Sequence, residues 1–312
     1  FKGIAGTLSA KGTYQGEHER IAVDGQTETP DFTIRISGHP MPLSTTYHAV
    51  VDGTNGNTTL DPVNATFAET SLVARGGVYD VEGVDGRVVK LDVSLADGRM
   101  QDVMRLAVNT PKPPMAGQLH LTTSLVIPPG DIDVADKLQL DGRFRIENGQ
   151  FTDPGVQGKV NELSRRASGK TDEMPVAQRV TSDFSGRFKL GGGTIAIPNV
   201  TFDVPGAVVQ LGGTYAMRAE TIDFSGDLFM DAKISQTVTG FKSLLLKLAD
   251  PLFRGDGKTV VPLKVHGSRN APQFGLDMKR VFRRSGKASP APRDAPPRQA
   301  SSAAVRPPLT DH

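Results

Sequence analysis

The sequence predicts a mainly β fold: an elongated, twisted antiparallel meander with one apolar face and a few short helices. Three observations predict it. Apolar residues alternate with polar or small ones in many short runs, which is typical of half-buried strands. Turn-forming residues separate these runs at short intervals. Only 37% of the 312 residues are hydrophobic and 6% are aromatic, so a deep globular core is not expected.

The strand signals run along most of the chain. The earlier ones include Phe32-Ile34-Ile36, Leu119-Leu121, Leu138-Leu140 and Phe144-Ile146. The alternation is densest over 184–230, where Gly191-Gly192-Gly193, Pro198-Asn199, Val204-Pro205-Gly206 and Arg218-Ala219-Glu220 mark turns. Short links between alternating runs favour antiparallel neighbours.

An internal repeat accompanies the alternation. Asp183-Phe-Ser-Gly186 recurs as Asp223-Phe-Ser-Gly226, and Gly142-Arg-Phe144 recurs as Gly186-Arg-Phe188. A period of about 40 residues is compatible with an elongated meander, a β-solenoid or a propeller blade. The propeller is disfavoured because the chain has no Trp and only two or three units.

Three segments interrupt the β pattern and are interpreted as helices. Two short ones are predicted over 99–106 and 160–167. A third, amphipathic helix is predicted near 238–250, because Val238, Phe241, Leu244, Leu245, Leu248 and Leu252 have helical spacing and Pro251 marks its end.

Composition divides the chain into three parts. We expect an N-terminal β-region over 1–134, a second β-region with the inserted helix over 135–278, and a disordered tail rich in Pro and Ala over 279–312. The tail holds eight Lys or Arg against two Asp, which leaves 28 Lys and Arg against 32 Asp and Glu in the body. A mildly acidic body argues against nucleic-acid binding.

Motifs for catalysis or cofactors are missing from the sequence. It has no Cys, its six His residues are scattered, and it lacks a serine-nucleophile elbow. Gly169-Lys170-Thr171 and Gly257-Lys258-Thr259 lack the upstream Gly of a phosphate loop and are interpreted as ordinary loops. We therefore predict no enzyme, metal or cofactor, although a carboxylate pair acting on glycans could be hidden among the many Asp residues.

The start of the tail has a second interpretation. Lys279, Arg280, Arg283 and Arg284 surround Phe282 directly after the last strand signal. Basic residues near anionic headgroups each contribute about 1 kcal/mol to membrane attraction. These five residues are therefore candidates for membrane-surface contact, and a solvated tail is the alternative.

The C-terminal half resembles the C-terminal region of AsmA-like proteins over about 183–278. The residues that carry the resemblance are Phe184-Ser-Gly-Arg-Phe-Lys-Leu190, the stretch from Ile197 to Tyr215, Ile222-Asp-Phe-Ser-Gly-Asp-Leu228, Thr239-Gly-Phe-Lys-Ser-Leu244, Val261-Pro-Leu-Lys-Val-His-Gly-Ser268 and Ala271-Pro-Gln-Phe274. Their order and spacing are more specific than any single piece. Upstream, Asp52-Gly-Thr-Asn-Gly56 and Leu163-Ser-Arg-Arg-Ala167 are compatible with the same family.

The resemblance implies a Gram-negative envelope protein with a long, taco-like β-groove in the periplasm and an N-terminal helix anchored in the inner membrane. Relatives are implicated in outer-membrane biogenesis and in phospholipid movement between membranes. The chain opens at Phe1 without a leader or an apolar run long enough to span a membrane. We therefore expect a fragment or processed product, with any anchor upstream.

A sheet with one apolar face must cover that face with a second sheet, a helix or a ligand. Acyl chains would cover it without polar recognition, since each methylene removed from water contributes about 0.8 kcal/mol. The candidate lipid-facing residues are Phe188, Leu190, Ile195, Ile197, Val209, Leu211, Tyr215, Met217, Phe224, Leu228 and Met230. Two alternatives stay open: a closed sandwich in which these residues form the core, and a scaffold module that recruits other envelope proteins.

Overall fold

The computed structural model describes residues 2–168, 180–230, 254–255 and 258–280. The helix predicted near 238–250 and the tail beyond Arg280 lie outside the described residues.

Within the described residues the protein is mainly β, with sixteen strands and three helices, and 278–280 are also helical. The elements of the first half are β1 (Ile4–Ala5), β2 (Ser9–Glu17), β3 (Arg20–Ile34), β4 (Met41–Val51), β5 (Thr58–Phe67), β6 (Thr70–Asp80), β7 (Arg87–Arg99), α1 (Met100–Ala107) and β8 (Met115–Ile127). The remaining elements are α2 (Val134–Lys137), β9 (Gln139–Phe151), α3 (Pro154–Ala167), β10 (Ser182–Gly191), β11 (Thr194–Val204), β12 (Ala207–Ala216), β13 (Thr221–Met230), β14 (Arg254–Gly255), β15 (Lys258–Ser268) and β16 (Ala271–Leu276).

All sixteen strands belong to one open antiparallel meander, as the sequence predicted. From β3 to β13 every strand pairs with its sequence neighbours, and β13 pairs with β15. Strands β1 and β2 lie along one end of the sheet on β3, and β14 and β16 lie along the other end on β15. Pairing of β8 with β9 runs along both strands, so the sheet continues through the boundary expected near residue 134.

Strand register places the apolar residues on one face. Residues that pair across antiparallel strands project to the same side of a sheet. One continuous row reads Val23, Ala49, Leu60, Gly76, Leu91, Leu125, Leu140, Leu190, Ile195, Tyr215 and Ile222. A neighbouring row on the opposite face reads Arg75, Asp92, Ser124, Asp141 and Lys189. We call these the apolar face and the polar face.

The sheet coils so strongly that distant parts meet. Strands β1 and β8 are six positions apart, or about 29 Å in a flat sheet. Nevertheless, the Val134 N–H, at the start of α2 and seven residues after the end of β8, donates to the Lys2 carbonyl oxygen at 2.8 Å, and Arg35 forms an ion pair with Asp133. Shifts of register in eight of the strand pairings, such as the one between Leu95 and Gly98, add local twist.

Helices α1 and α3 lie on the apolar face and form its two buried clusters. Met100, Val103 and Met104 of α1 pack against the cluster of Leu95, Met115, Leu119 and Ile146. Val160 and Ala167 of α3 belong to the cluster that contains Val204, Ala207, Val209, Leu228, Met230 and Val261. Since α1 also contacts β3, the coiled sheet encloses this helix on its apolar side.

Both short helices occur where the sequence predicts them, but one starts earlier. Helix α1 begins one residue after the predicted start, whereas α3 begins at Pro154, six residues before its predicted start at Val160. The Asp153 carboxylate accepts a hydrogen bond from the Val156 N–H at 2.8 Å, and proline is favoured at a first helical position. This Asp-Pro start was the signal that the apolar periodicity alone missed.

Candidate apolar groove

Helix α3 covers one part of the apolar face. Val209, Leu228 and Met230, three of the predicted lipid-facing residues, are 4%, 7% and 9% exposed and lie in its cluster. Leu211 packs against the edge of the same cluster. Leu190 and Met217 are also buried. The structure therefore places six of the eleven predicted residues in packed surroundings or at their border.

A neighbouring part of the face is less covered. We call it the open strip and define it by six half-buried residues of β10 to β13: Phe188, Ile195, Ile197, Tyr215, Ile222 and Phe224. Register joins Ile195, Tyr215 and Ile222 in one row, and Ile197 and Phe224 both pair with Gly213 in the next. Five of the six were predicted to face lipid.

The strip continues towards the N-terminal half. Leu60, Leu91, Leu125 and Leu140 occupy the same row as Ile195 and are also half-buried. Sequence reasoning missed these four leucines as site residues because it confined the candidates to the region of densest alternation. Their own alternation with polar neighbours was the available signal.

Aromatic rings on this face lie over glycines of neighbouring strands. A Cβ placed on Gly213 would be 2.8 Å from Phe224 Cδ1, and one on Gly186 would be 3.3 Å from Phe144 Cε1. Tyr47 lies over Gly25 in the same way. Because these glycines have no side chain, each aromatic ring can lie directly over the neighbouring strand. The apolar surface at these positions is therefore formed by the rings.

A cluster of phenylalanines connects the covered and open parts. Phe184 and Phe202 stack with ring centroids 4.5 Å apart, and Phe151 meets both rings edge-on at 5.9 and 6.5 Å. Phe144 and Phe188 are 6.2 Å apart. Offset-stacked and edge-on pairs are favourable geometries for aromatic rings, so this stretch of the face is held by direct packing.

The phenol of Tyr215, on the open strip, has a shifted pKa. Burial raises the pKa of its phenol above the ordinary value, and Glu220 adds to the increase while Arg269 opposes it. A low-polarity environment disfavours the phenolate. Partial burial of Tyr215 therefore disfavours the charged form of its phenol.

The carboxyl groups with shifted pKa values serve turns and ion pairs. Hydrogen bonds from Thr7 lower the pKa of Asp31, and hydrogen bonds from Thr54 lower that of Asp52. A hydrogen bond from Arg218 lowers the pKa of Asp136. A glycosidase acid needs the opposite shift. Across the described parts of the chain, no group of three His, Asp or Glu side chains is placed to hold a metal ion.

Two of the five candidates for membrane-surface contact are described. Lys279 is exposed. Arg280 is half-buried and forms an ion pair with Asp227 of β13 at 2.8 Å, so its charge is already engaged by the sheet. Phe282, Arg283 and Arg284 lie outside the described residues. None of the described helices is long and apolar enough to cross a membrane.

Comparisons with known proteins do not place the chain in a family. No family model, curated protein or solved structure matches it.

Proposed function

We propose that this chain binds the acyl chains of phospholipids along its open strip and works in lipid transport at the Gram-negative envelope, on the periplasmic side of the inner membrane. The observation that carries the proposal is the single apolar face, which continues through successive strands and which the helices of the described residues cover only in part. The AsmA-like resemblance of 183–278 supports the same function and location.

An acyl chain matches the chemistry of the strip. The strip crosses four strands, or about 14 Å between the first and the last, and its side chains offer aliphatic and aromatic surface with one phenol. About ten methylenes leaving water would contribute roughly 8 kcal/mol before the costs of association. Affinity would then depend on chain length more than on any polar contact.

A structural role is the alternative, and the covered part of the face favours it. Val209, Leu228 and Met230 are packed under α3 by the protein's own side chains, which is what a self-contained β-domain requires. In that case the half-buried residues of the strip would be ordinary sheet surface, and the protein would act as an envelope scaffold that recruits protein partners.

Native mass spectrometry of the protein purified from a Gram-negative host tests the proposal. We expect bound phospholipid that resists washing, and we expect Phe224→Asn to lose it because a polar group would enter the strip. Ser225→Asn is the matched control, since Ser225 is the adjacent residue and its exposed side chain projects to the opposite face. Circular dichroism establishes that both variants fold.

The outcomes separate the two functions. Lipid on the wild type and on Ser225→Asn, but not on folded Phe224→Asn, supports the groove. If all three proteins carry the same amount of phospholipid, the assignment of the lipid site to the open strip is refuted. A wild type that carries no phospholipid and takes up none from added vesicles refutes lipid binding and favours the scaffold.

A further inference from the structure

The polar face contains a concavity that lipid binding on the apolar face does not use. It has a volume of about 720 Å³ and lies over β6 to β11. A twisted sheet is saddle-shaped, so each face is concave along one diagonal. The polar face is therefore concave along the diagonal opposite to the one along which the sheet curves around α1.

Two copies of the Gly-Arg-Phe repeat form one side of this concavity. Gly142-Arg-Phe144 on β9 pairs antiparallel with Gly186-Arg-Phe188 on β10, so each glycine lies opposite the phenylalanine of the other copy. Both phenylalanines project to the apolar face. Arg143 and Arg187 lie directly opposite each other and project to the polar face.

These two arginines differ from the other cations of the concavity. Arg75 is bound to Asp61 and Lys189 to Asp141, each at 2.8 Å. Among the described residues, Arg143 donates only to a hydroxyl, that of Thr122, at 3.0 Å.

Within the described parts of the chain, no carboxylate pairs with Arg143 or Arg187 and no hydrogen bond from Arg187 is found. Like charges directly opposite each other destabilise a sheet. An anion between the two guanidinium groups would remove this repulsion.

We propose that the polar-face concavity binds a phosphate group between Arg143 and Arg187. A guanidinium presents paired N–H donors in a plane that matches two phosphate oxygens, and two guanidinium groups match the charge of a phosphate monoester. The hydroxyls of Ser94 and Thr122 line the same hollow. Its volume leaves room for more than phosphate alone, so the site can hold the phosphate of a small organic molecule or of a lipid headgroup.

The site is independent of the open strip. A continuous layer of hydrogen-bonded backbone separates the two faces from β8 to β11. A lipid whose chains lie on the apolar face therefore cannot place its own headgroup between these arginines. If the protein does not bind lipid on the open strip, the phosphate site is unaffected. If the protein does not bind phosphate, the lipid proposal is unaffected.

Isothermal titration tests the site with inorganic phosphate, with glycerol 3-phosphate and with vesicles containing phosphatidic acid, whose headgroup is a phosphate monoester. We expect Arg187→Gln to weaken phosphate binding about tenfold and the double variant with Arg143→Gln to weaken it further, because each loses a charged hydrogen bond. Arg145→Gln is the matched control: Arg145 lies two residues from Arg143 on the same face but pairs with Glu147 at 2.9 Å.

Thermal unfolding gives a second readout. Phosphate at matched ionic strength should raise the melting temperature of the wild type and of Arg145→Gln, but not of the double variant. Binding of glycerol 3-phosphate, or of the phosphatidic acid vesicles, that is lost in the double variant supports the proposal and identifies a soluble ligand or a headgroup. Equal phosphate effects in the wild type and the double variant, or no binding of any probe, would overturn it.

Discussion

Helix α3 should make two positions on one strand respond differently to truncation. Leu228 and Phe224 both lie on the apolar face of β13, but Leu228 is 7% exposed within the α3 cluster, whereas Phe224 is half-buried on the open strip. Leu228→Ala should therefore leave a cavity that its packed neighbours cannot fill. Phe224→Ala removes a ring that already contacts solvent.

The structure sets the size of the difference. Truncation of a buried leucine to alanine costs about 2–5 kcal/mol, and we expect Leu228→Ala to fall in this range because Val209, Met230 and Val261 surround it in one cluster. Phe224→Ala should cost about 1–2 kcal/mol, since only part of its area leaves water on folding. In a chain of this size, each kcal/mol lowers the melting temperature by about 1.5 °C.

Urea unfolding followed by circular dichroism measures both losses, because the chain has no Trp for fluorescence. Binding of a fluorescent fatty acid to the same variants supplies the functional readout: Leu228→Ala should retain it under folding conditions, and Phe224→Ala should weaken it. A loss below about 1 kcal/mol for Leu228→Ala would refute the packing of α3 on β13. Weaker binding in Leu228→Ala than in Phe224→Ala would move the lipid site under the helix.

Three further predictions concern single groups. Asp102→Ala should cost roughly 2–4 kcal/mol in urea unfolding, because the buried carboxylate accepts hydrogen bonds from the Thr70 hydroxyl at 2.9 Å and the Glu69 N–H at 3.2 Å; a cost near zero would contradict this role. Tyr215 should titrate above the ordinary phenol pKa, so its contribution to stability is present below that value and is lost as the pH rises through the folded-state pKa. The difference between the absorbance titrations of the wild type and of Tyr215→Phe isolates this phenol. An ordinary pKa for Tyr215 would mean that its phenol is exposed to solvent. The pKa of Asp136 is lowered, so its pairing with Arg218 stabilises the protein at pH values above the ordinary carboxyl pKa. This stabilisation is lost as the pH falls through the folded-state pKa of Asp136. In acid unfolding, Arg218→Gln should therefore be less stable than the wild type near neutral pH, and the two stabilities should converge in strong acid.

Part of the candidate site could be predicted because side-chain direction in a strand has a period of two. Ile195, Ile197 and Phe224 were assigned to one face by alternation alone, and register confirms that they share it. Whether that face is covered at a given residue could not be predicted in this way. Leu228 and Phe224 have the same local pattern, yet only Leu228 lies in the cluster under α3.

The Gly-Arg-Phe repeat shows the same division. Sequence comparison found both copies but gave no indication that they pair with each other, since β9 and β10 are separated by α3 along the chain. Register then sets Arg143 opposite Arg187 and each glycine opposite a phenylalanine. The functional meaning of the arginines depends on this pairing, because an isolated Arg on a polar strand face is ordinary.

By itself, the sequence determined the fold class, the meander order of the strands, the single apolar face and the presence of α1 and α3, because each follows from periodicity and turns over short stretches of chain. Only the tertiary structure decided how the sheet coils, which part of the apolar face α3 covers and where the polar face is concave. These features depend on contacts between distant residues, such as Lys2 with Val134 and Arg218 with Asp136. Local alternation carries no information about such contacts, since it fixes only the side to which each residue points.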